Sequence, residues 1–260
     1  MATIKKEAFS CVRDNMTIRG LYFRPDGEHL PIAIISHGFM ANYQTTKGYA
    51  QWFAERGYAA FCFDFNGGGL MGKNDKDTTK MTIFTEENDL EAVISYAKSL
   101  PETDEQSVTL MGCSQGGVVS ALAAAKLQNE ISRLILFYPA LCIPDDARAG
   151  KMMFAKFDPE NIPETFHCGP MKLGRDYAAS VLHCDLIAEI SKYTGKVLII
   201  HGTADKIVDY HYSEQAQAAY ADAVLKLIPD APHGFSGKDD QTALEYVEQF
   251  LQQEGNNDLL

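Results

Sequence analysis

The stretch that decides the fold is TLMGCSQGGVVSALAAAK, residues 109–126. An apolar run leads into it and an alanine-rich run follows, so we expect a strand that gives way to a helix. Residues 112–116 read GCSQG and place Ser114 between two glycines in the pattern G-x-S-x-G. At a strand-to-helix junction this pattern predicts a nucleophile elbow, a tight turn that strains the serine backbone and exposes its hydroxyl. The sequence therefore predicts Ser114 as a nucleophile.

Composition excludes several classes of partner. The chain has 260 residues and a net charge of −12, without a lysine or arginine cluster. Repulsion from phosphate argues against nucleic acid and anionic membranes. No apolar run approaches the ~18 residues that a bilayer span needs. No apolar stretch follows Lys5 and Lys6, so we expect no signal peptide and a cytoplasmic location, with six reduced cysteines.

Strands and helices alternate along most of the chain. The first two strands flank a turn and are expected to pair antiparallel, and the apolar later strands predict a mostly parallel sheet with helices on both faces. The predicted strands are 4–12, 17–24, 31–36, 59–65, 107–112, 133–138, 196–202 and 223–228. The predicted helices lie near 46–56, 85–99, 115–128, 211–221 and 239–253.

This alternation stops between residues 140 and 192. The segment holds prolines, charges and aromatic residues without a strong period, and it is too long for a plain connection. Ligands bind at the carboxyl edge of open α/β sheets, so we expect the segment to fold over that edge as a lid. The predicted organisation is a core of residues 1–139 and 193–260 with an inserted lid subdomain at 140–192.

A serine nucleophile needs a base, and the base needs an acid to orient it. Asp205 lies in HGTADKIV after one predicted strand, and His233 lies in PDAPHGFSG after the last strand. Both follow the carboxyl ends of strands, at the edge where Ser114 is expected, so the three predict a catalytic triad. Asp209 is a rival acid, but it lies nearer the following helix, which it could cap.

Two backbone amides are expected to bind a developing oxyanion. One is the amide of Gln115, directly after the nucleophile. The other is the amide of Phe39, in the loop SHGFM after the third strand. His37 and Gly38 are expected to shape that loop rather than react.

With these motifs the sequence resembles the α/β-hydrolase superfamily and, more narrowly, the bacterial cinnamoyl (feruloyl) esterases. The resemblance spans nearly the whole chain and is carried by SHGF, DFNG, GCSQGGVVS, HGTADKIV, HGFS and the insertion. It implies the α/β-hydrolase fold, cleavage of hydroxycinnamate esters and no cofactor. Two positions depart from the family: Cys113 stands where relatives often have histidine, and GG follows DFNG where HG is common.

The resemblance also implies that two residues of the insertion reach the ring hydroxyl of the substrate. They are Asp146 in PDDA and Tyr177 in GRDY. A buried phenol without a partner costs about 1–3 kcal/mol, so such contacts would be useful. Asp146 could instead cap a helix, and Tyr177 could simply fill the core of the insertion.

No metal or cofactor site is expected. The pairs His167-Cys168 and His183-Cys184 contain ligand residue types, but adjacent side chains rarely bind one metal and C-x-x-C spacing is absent. The glycine-rich stretch after Phe65 follows the second of the predicted parallel strands, so we do not expect it to form a dinucleotide-binding loop.

Together these features predict a serine esterase that acts on hydroxycinnamate esters, with a small-molecule ester as its partner. A short-chain carboxylesterase, a monoacylglycerol-type lipase and a serine peptidase are alternatives that the sequence leaves open. A non-catalytic receptor for small ligands is an alternative of another class. The sequence also leaves open whether the protein forms a homodimer.

Overall fold

A computed structural model describes residues 3–71 and 77–252. Its centre is an eight-stranded sheet in the order β1-β2-β4-β3-β5-β6-β11-β12. The strands, numbered along the chain, are β1 (Ile4–Arg13), β2 (Met16–Pro25), β3 (Leu30–Ser36), β4 (Ala59–Phe63), β5 (Thr103–Cys113), β6 (Arg133–Phe137), β7 (Lys151–Met152), β8 (Ala155–Lys156), β9 (Thr165–Cys168), β10 (Met171–Gly174), β11 (Lys196–Gly202) and β12 (Ala223–Ile228).

Only β2 runs against the other strands of this sheet. It pairs antiparallel with β1 and with β4, and every other pair in the sheet is parallel. Asp14 and Asn15 form the turn between β1 and β2 with φ of 47° and 67°. Positive φ at both central residues matches the type I′ turn, whose twist suits a two-residue hairpin. The predicted fold class, a mostly parallel eight-stranded sheet, is confirmed.

Helices cover both faces of the sheet. Along β3, Ile32 and Ile34 pack on the face covered by α2 and α3, while Ala33 and Ile35 pack on the face covered by α1 and α8. This alternation explains why β3 is apolar at nearly every position. The helices are α1 (Tyr43–Ala54), α2 (Ile83–Lys98), α3 (Gln115–Lys126), α4 (Ile143–Arg148), α5 (Arg175–Ala179), α6 (Leu186–Ile190), α7 (His211–Ala219) and α8 (Gly237–Gln252).

The predicted insertion contains α4, α5, α6 and two short hairpins, β7–β8 and β9–β10. Its helices have only five or six residues, which is too short for a helical period to show in the sequence. Its buried side chains, such as Phe166 and Leu173, belong to the same apolar cluster as α2 and α3. That residues 140–192 act as a separate lid stays a prediction.

Two elements begin three or more residues earlier than predicted. Helix α1 begins at Tyr43 rather than near residue 46, because the side chain of Asn42 accepts a hydrogen bond from the amide of Gln44 and caps the helix. Strand β5 begins at Thr103 rather than at 107. Its polar start pairs with β3 beyond an irregularity in the register, which a search for apolar runs does not detect.

Candidate active site

The predicted elbow has the strained backbone that the motif requires. Ser114 has φ of 55° and ψ of −121°, between the end of β5 and the start of α3. Positive φ is costly for a residue other than glycine and persists only where the surroundings enforce it. The neighbouring glycines allow the tight approach. A Cβ on Gly112 would lie 2.1 Å from the carbonyl oxygen of Gly116, and one on Gly116 would lie 2.3 Å from that of His37.

The structure brings Ser114, His233 and Asp205 together. His233 Nε2 lies 3.0 Å from Ser114 Oγ, and His233 Nδ1 lies 2.7 Å from Asp205 Oδ2. Because an ionised carboxylate can only accept, Nδ1 carries a hydrogen and Nε2 is left to accept from the serine hydroxyl. Asp209 is exposed and accepts from His211 instead. The arrangement therefore favours Asp205 over Asp209 as the acid.

The side chain of Asp205 is buried and surrounded by hydrogen-bond donors. Oδ1 accepts from the amides of Ile207 and Val208, and Oδ2 accepts from the rings of His201 and His233. Burial alone would raise the pKa of this carboxyl. The hydrogen bonds from His201, His233 and Val208 outweigh burial and hold the pKa well below its usual range. Asp205 is therefore a carboxylate at neutral pH.

Sequence reasoning assigned no role to His201. Its ring is fully buried, and Nε2 lies 3.0 Å from Asp205 Oδ2 and 3.1 Å from the carbonyl oxygen of Val208. A carbonyl only accepts, so Nε2 carries the hydrogen, and Nδ1 accepts from the hydroxyl of Ser213 at 2.7 Å. The one sequence feature that could have indicated a role is that this histidine ends an apolar strand, four residues before the predicted acid Asp205.

The two predicted oxyanion donors both line the pocket beside Ser114. Within residues 3–71 and 77–252, neither the amide of Phe39 nor that of Gln115 donates a hydrogen bond to another residue. His37 Nδ1 donates to the carbonyl of Gly38 at 2.8 Å, and Nε2 accepts from the amide of Phe65 at 3.2 Å. Burial lowers the pKa of His37, so the neutral ring supports the loop, as expected of a residue that shapes it.

A cavity of about 550 Å³ opens at these residues. It is lined by Ser114, His233, Phe39 and Gln115 and, from the predicted insertion, by Asp146 and Tyr177. The cavity is large enough for a drug-sized ligand. Further lining residues from the insertion are Cys142, Ile143, Lys151, Met152, Met153 and Phe154.

Asp146 and Tyr177 differ in their surroundings. Asp146 lies in the first turn of α4, past the N-cap residue Cys142, so it does not cap that helix. Burial raises the pKa of its half-buried carboxyl. Tyr177 is buried, and its hydroxyl donates to Gln115 Oε1 at 2.6 Å. Tyr177 thus lies both in the apolar cluster and on the cavity wall, and its hydroxyl hydrogen is already used in the bond to Gln115.

Cys113 packs beneath the elbow, in the apolar cluster on the face of the sheet covered by α1 and α8. It is 7% exposed, and burial raises the pKa of its thiol to about 12, so it is not a thiolate at neutral pH. Above it, the ring of Tyr138 lies 4.7 Å from the ring of His233. All six cysteines are free thiols.

Neither a metal cluster nor a membrane span is found in the described part of the chain. No group of three or more His, Cys, Asp and Glu side chains is arranged to hold a metal there. No helix within residues 3–71 and 77–252 has the length and apolar character to cross a bilayer.

The family is shown by a sequence match. The model of the family described as serine aminopeptidase, S33 (Hydrolase_4) matches residues 27–166, more than half of the chain. The chain belongs to this family of hydrolases. Its structure is similar to that of Est1E from Butyrivibrio proteoclasticus with ferulic acid bound, with a TM-score of 0.87 and 30% identity over 95% of this chain and 98% of that one. It is thus an α/β-hydrolase that resembles bacterial feruloyl esterases.

Curated relatives match over shorter stretches. Rat monoglyceride lipase is 28% identical over 181 residues, which are 69% of this chain and 56% of that protein. An uncharacterised protein of Pseudomonas aeruginosa is 30% identical over 111 residues, 42% of this chain and 29% of that protein. The matches therefore span only about a third to a half of the length of these relatives.

Proposed function

We propose that the chain is a serine carboxylic-ester hydrolase with Ser114, His233 and Asp205 as its catalytic triad. The observation that carries the proposal is the position of His233, within hydrogen-bond distance of both Ser114 Oγ and Asp205 Oδ2. A serine hydroxyl is a weak nucleophile, and an imidazole at this distance can accept its proton as the bond to carbon forms. Asp205 fixes the tautomer and stabilises the imidazolium.

In the first half of the reaction, Ser114 Oγ attacks the ester carbonyl while its proton moves to His233 Nε2. The amides of Phe39 and Gln115 donate to the oxyanion of the tetrahedral intermediate. The intermediate collapses, the carbon–oxygen bond to the alcohol breaks, and His233 protonates the leaving alcohol. An acyl group stays on Ser114.

In the second half, water takes the place of the alcohol. His233 accepts a proton from water, hydroxide adds to the acyl carbon, and the same two amides hold the oxyanion again. Collapse releases the acid and returns the proton from His233 to Ser114 Oγ. No cofactor enters either half.

We further propose hydroxycinnamate esters as the substrates. The likeness to Est1E with ferulic acid bound supports this, together with a cavity of about 550 Å³ beside Ser114. Asp146 offers carboxylate oxygens, and the oxygen of Tyr177 is left to accept because its proton goes to Gln115. Both groups therefore suit a ring hydroxyl, which is a donor.

One observation favours a second candidate, a monoacylglycerol-type lipase or short-chain carboxylesterase. Three exposed apolar side chains, Met153, Phe154 and Ile207, line the cavity. The alkyl chain of an ester would pack against these apolar side chains, whereas a polar alcohol group would not. The partial match to rat monoglyceride lipase agrees with this alternative.

Replacing the nucleophile tests the mechanism. We expect Ser114→Ala to lower kcat on any ester substrate by several powers of ten, with an unchanged circular dichroism spectrum. A fluorophosphonate probe should label the wild-type protein at Ser114 and leave the variant unlabelled. Activity of the variant near that of the wild type would exclude the mechanism, and an unlabelled wild type would favour a non-catalytic receptor.

An ester panel tests the substrate class. We expect methyl ferulate, methyl caffeate and methyl p-coumarate to be hydrolysed with a higher kcat/KM than p-nitrophenyl butyrate or a monoacylglycerol. Ser114→Ala provides the background rate for each ester. Efficient hydrolysis of the aliphatic esters with none of methyl ferulate would contradict the hydroxycinnamate proposal and support the lipase-type alternative.

A further inference from the structure

The side chain of Gln115 is held at both ends by other parts of the molecule. Its Oε1 accepts from the hydroxyl of Tyr177 at 2.6 Å, and its Nε2 donates to Glu86 Oε2 at 2.7 Å. All three residues are buried, at 1% exposure for Gln115, 5% for Tyr177 and 1% for Glu86. The contacts join α2, the first residue of α3 and α5 of the insertion. We call this chain of hydrogen bonds the Glu86–Gln115–Tyr177 network.

Tyr177 also contacts the other proposed oxyanion donor. Its ring stacks on the ring of Phe39 with centroids 5.4 Å apart and planes at 25°. One residue of the insertion therefore touches both Phe39 and Gln115, through a ring contact with the first and a hydrogen bond with the second. These are the two residues whose backbone amides point to the oxyanion in the proposed mechanism.

We propose that Tyr177 and Glu86 are positioning residues that hold the Phe39 and Gln115 amides in place for the oxyanion. The proposal rests on the proposed function. An oxyanion hole lowers the barrier because its donors are fixed before charge develops, so small displacements weaken catalysis. Ser114, the residue before Gln115, makes no side-chain capping hydrogen bond at the start of α3. The hydrogen bonds of the Gln115 side chain to Tyr177 and Glu86 therefore restrain this first residue of α3.

Glu86 suits this role as a neutral group. Burial raises its pKa to about 8, although the hydrogen bond from Gln115 acts in the opposite direction. At pH 7 the carboxyl is mostly protonated, and Oε2 accepts from the Gln115 amide. A glutamine side chain has the same shape and can also accept there, so Glu86→Gln keeps the contact while Glu86→Ala removes it.

The test compares Tyr177→Phe, Glu86→Ala and Glu86→Gln on two esters, methyl p-coumarate and methyl cinnamate. The second ester lacks the ring hydroxyl. We expect Tyr177→Phe and Glu86→Ala to lower kcat about tenfold on both esters, with KM for methyl cinnamate changed less than threefold. Glu86→Gln should keep kcat within about threefold of the wild type. Thermal melting of each variant separates lost catalysis from lost folding.

The control is Glu87→Ala. Glu87 is the neighbouring buried carboxyl on α2, but it lines a different cavity and lies outside the Glu86–Gln115–Tyr177 network. Its kcat on both esters should stay within twofold of the wild type. A loss of kcat as large as that of Glu86→Ala would show that any change in α2 has the same effect and would overturn the proposal.

Two other results would overturn it. One is a Tyr177→Phe variant whose only defect is a raised KM for methyl p-coumarate, with kcat kept on both esters, because Tyr177 would then act on the ring hydroxyl alone and not on the oxyanion donors. The other is a Glu86→Gln variant as impaired as Glu86→Ala. These results are distinct from failure of the proposed function, which would appear as an inactive wild type or an active Ser114→Ala variant.

Discussion

At the scale of the residue, Asp205 makes as many hydrogen bonds as its two oxygens readily accept. Two come from backbone amides and two from histidine rings. The amides of Ile207 and Val208 hold Oδ1, and His201 donates to Oδ2, the oxygen that also accepts from His233. Asp205 can therefore orient His233 without moving, which a solvent-exposed carboxylate could not do.

We predict that Asp205→Asn lowers kcat by about 10⁴-fold and leaves KM nearly unchanged. An asparagine amide can present its NH₂ to His233 Nδ1, which would favour the tautomer that cannot accept the Ser114 proton at Nε2. Steady-state kinetics on methyl ferulate measure the effect. Asp209→Asn is the matched control, because Asp209 is an exposed acid four residues away that contacts His211 and not His233. A comparable loss in both variants would contradict the assignment.

The positions of the Ser114, His233 and Asp205 side chains could be predicted from the sequence. Each residue follows an apolar strand, and the carboxyl ends of parallel strands meet at one edge of the sheet. The role of His201 could not be predicted, because the dipeptide HG at the end of a strand does not reveal whether the histidine ring faces a carboxylate. Glu86 left a weak signal. It lies four residues before Leu90, on the same apolar face of α2, where a charged residue indicates a buried hydrogen-bond partner.

At the scale of the element, α2 has a capped start but also buries carboxyl groups, which lowers its contribution to stability. Thr82 and Thr85 cap its start with reciprocal hydrogen bonds. Its inner face nevertheless buries the carboxyls of Glu86 and Glu87, whose pKa values burial raises to about 8 and about 7. A raised folded-state pKa means that folding binds protons, so this helix contributes less stability as pH rises.

We predict that Glu86→Gln removes part of this pH dependence. For the wild type, the stabilisation from Glu86 is complete below about pH 4.5 and is lost as pH rises through about 8. The variant and the wild type should have similar free energies of unfolding at pH 5, and the variant should be more stable by a few kcal/mol at pH 9. Urea denaturation at both values measures this.

The control for this prediction is Glu105→Gln, which changes an exposed carboxyl on β5. It should shift the free energy of unfolding by a similar small amount at both pH values. A Glu86→Gln variant that is no more stable than the wild type at pH 9 would show that the pKa of Glu86 is not raised in the folded protein.

The elements of the sheet were predictable because their apolar runs are long and their order along the chain dictates parallel pairing. The helices and hairpins within the insertion were not predictable. Its short helices and hairpins are fixed by contacts with distant segments, such as the hydrogen bond from the Thr78 hydroxyl to the carbonyl of Lys172. Nothing near Lys172 in the sequence indicates that contact.

At the scale of the whole molecule, the insertion and the sheet share one core. Side chains of α4, β9 and α5 belong to the apolar cluster that also contains one face of β3, β5 and β6. A segment whose buried surface is shared in this way loses its support when the sheet unfolds, and the sheet face is exposed to water when the segment opens. The two parts should therefore unfold together.

We predict that two buried thiols report the same transition. Cys62 in β4 and Cys168 in β9 are both 0% exposed, and they belong to clusters on opposite faces of the sheet. In pulsed thiol labelling over a urea series, with peptides identified by mass spectrometry, both should become reactive at the same midpoint. Cys11, which is partly exposed, should label without urea and serves as the control for reagent quality. If Cys168 reacts at a clearly lower urea concentration than Cys62, the insertion opens as a unit of its own. That result would contradict the shared core and would make residues 140–192 an independently mobile lid.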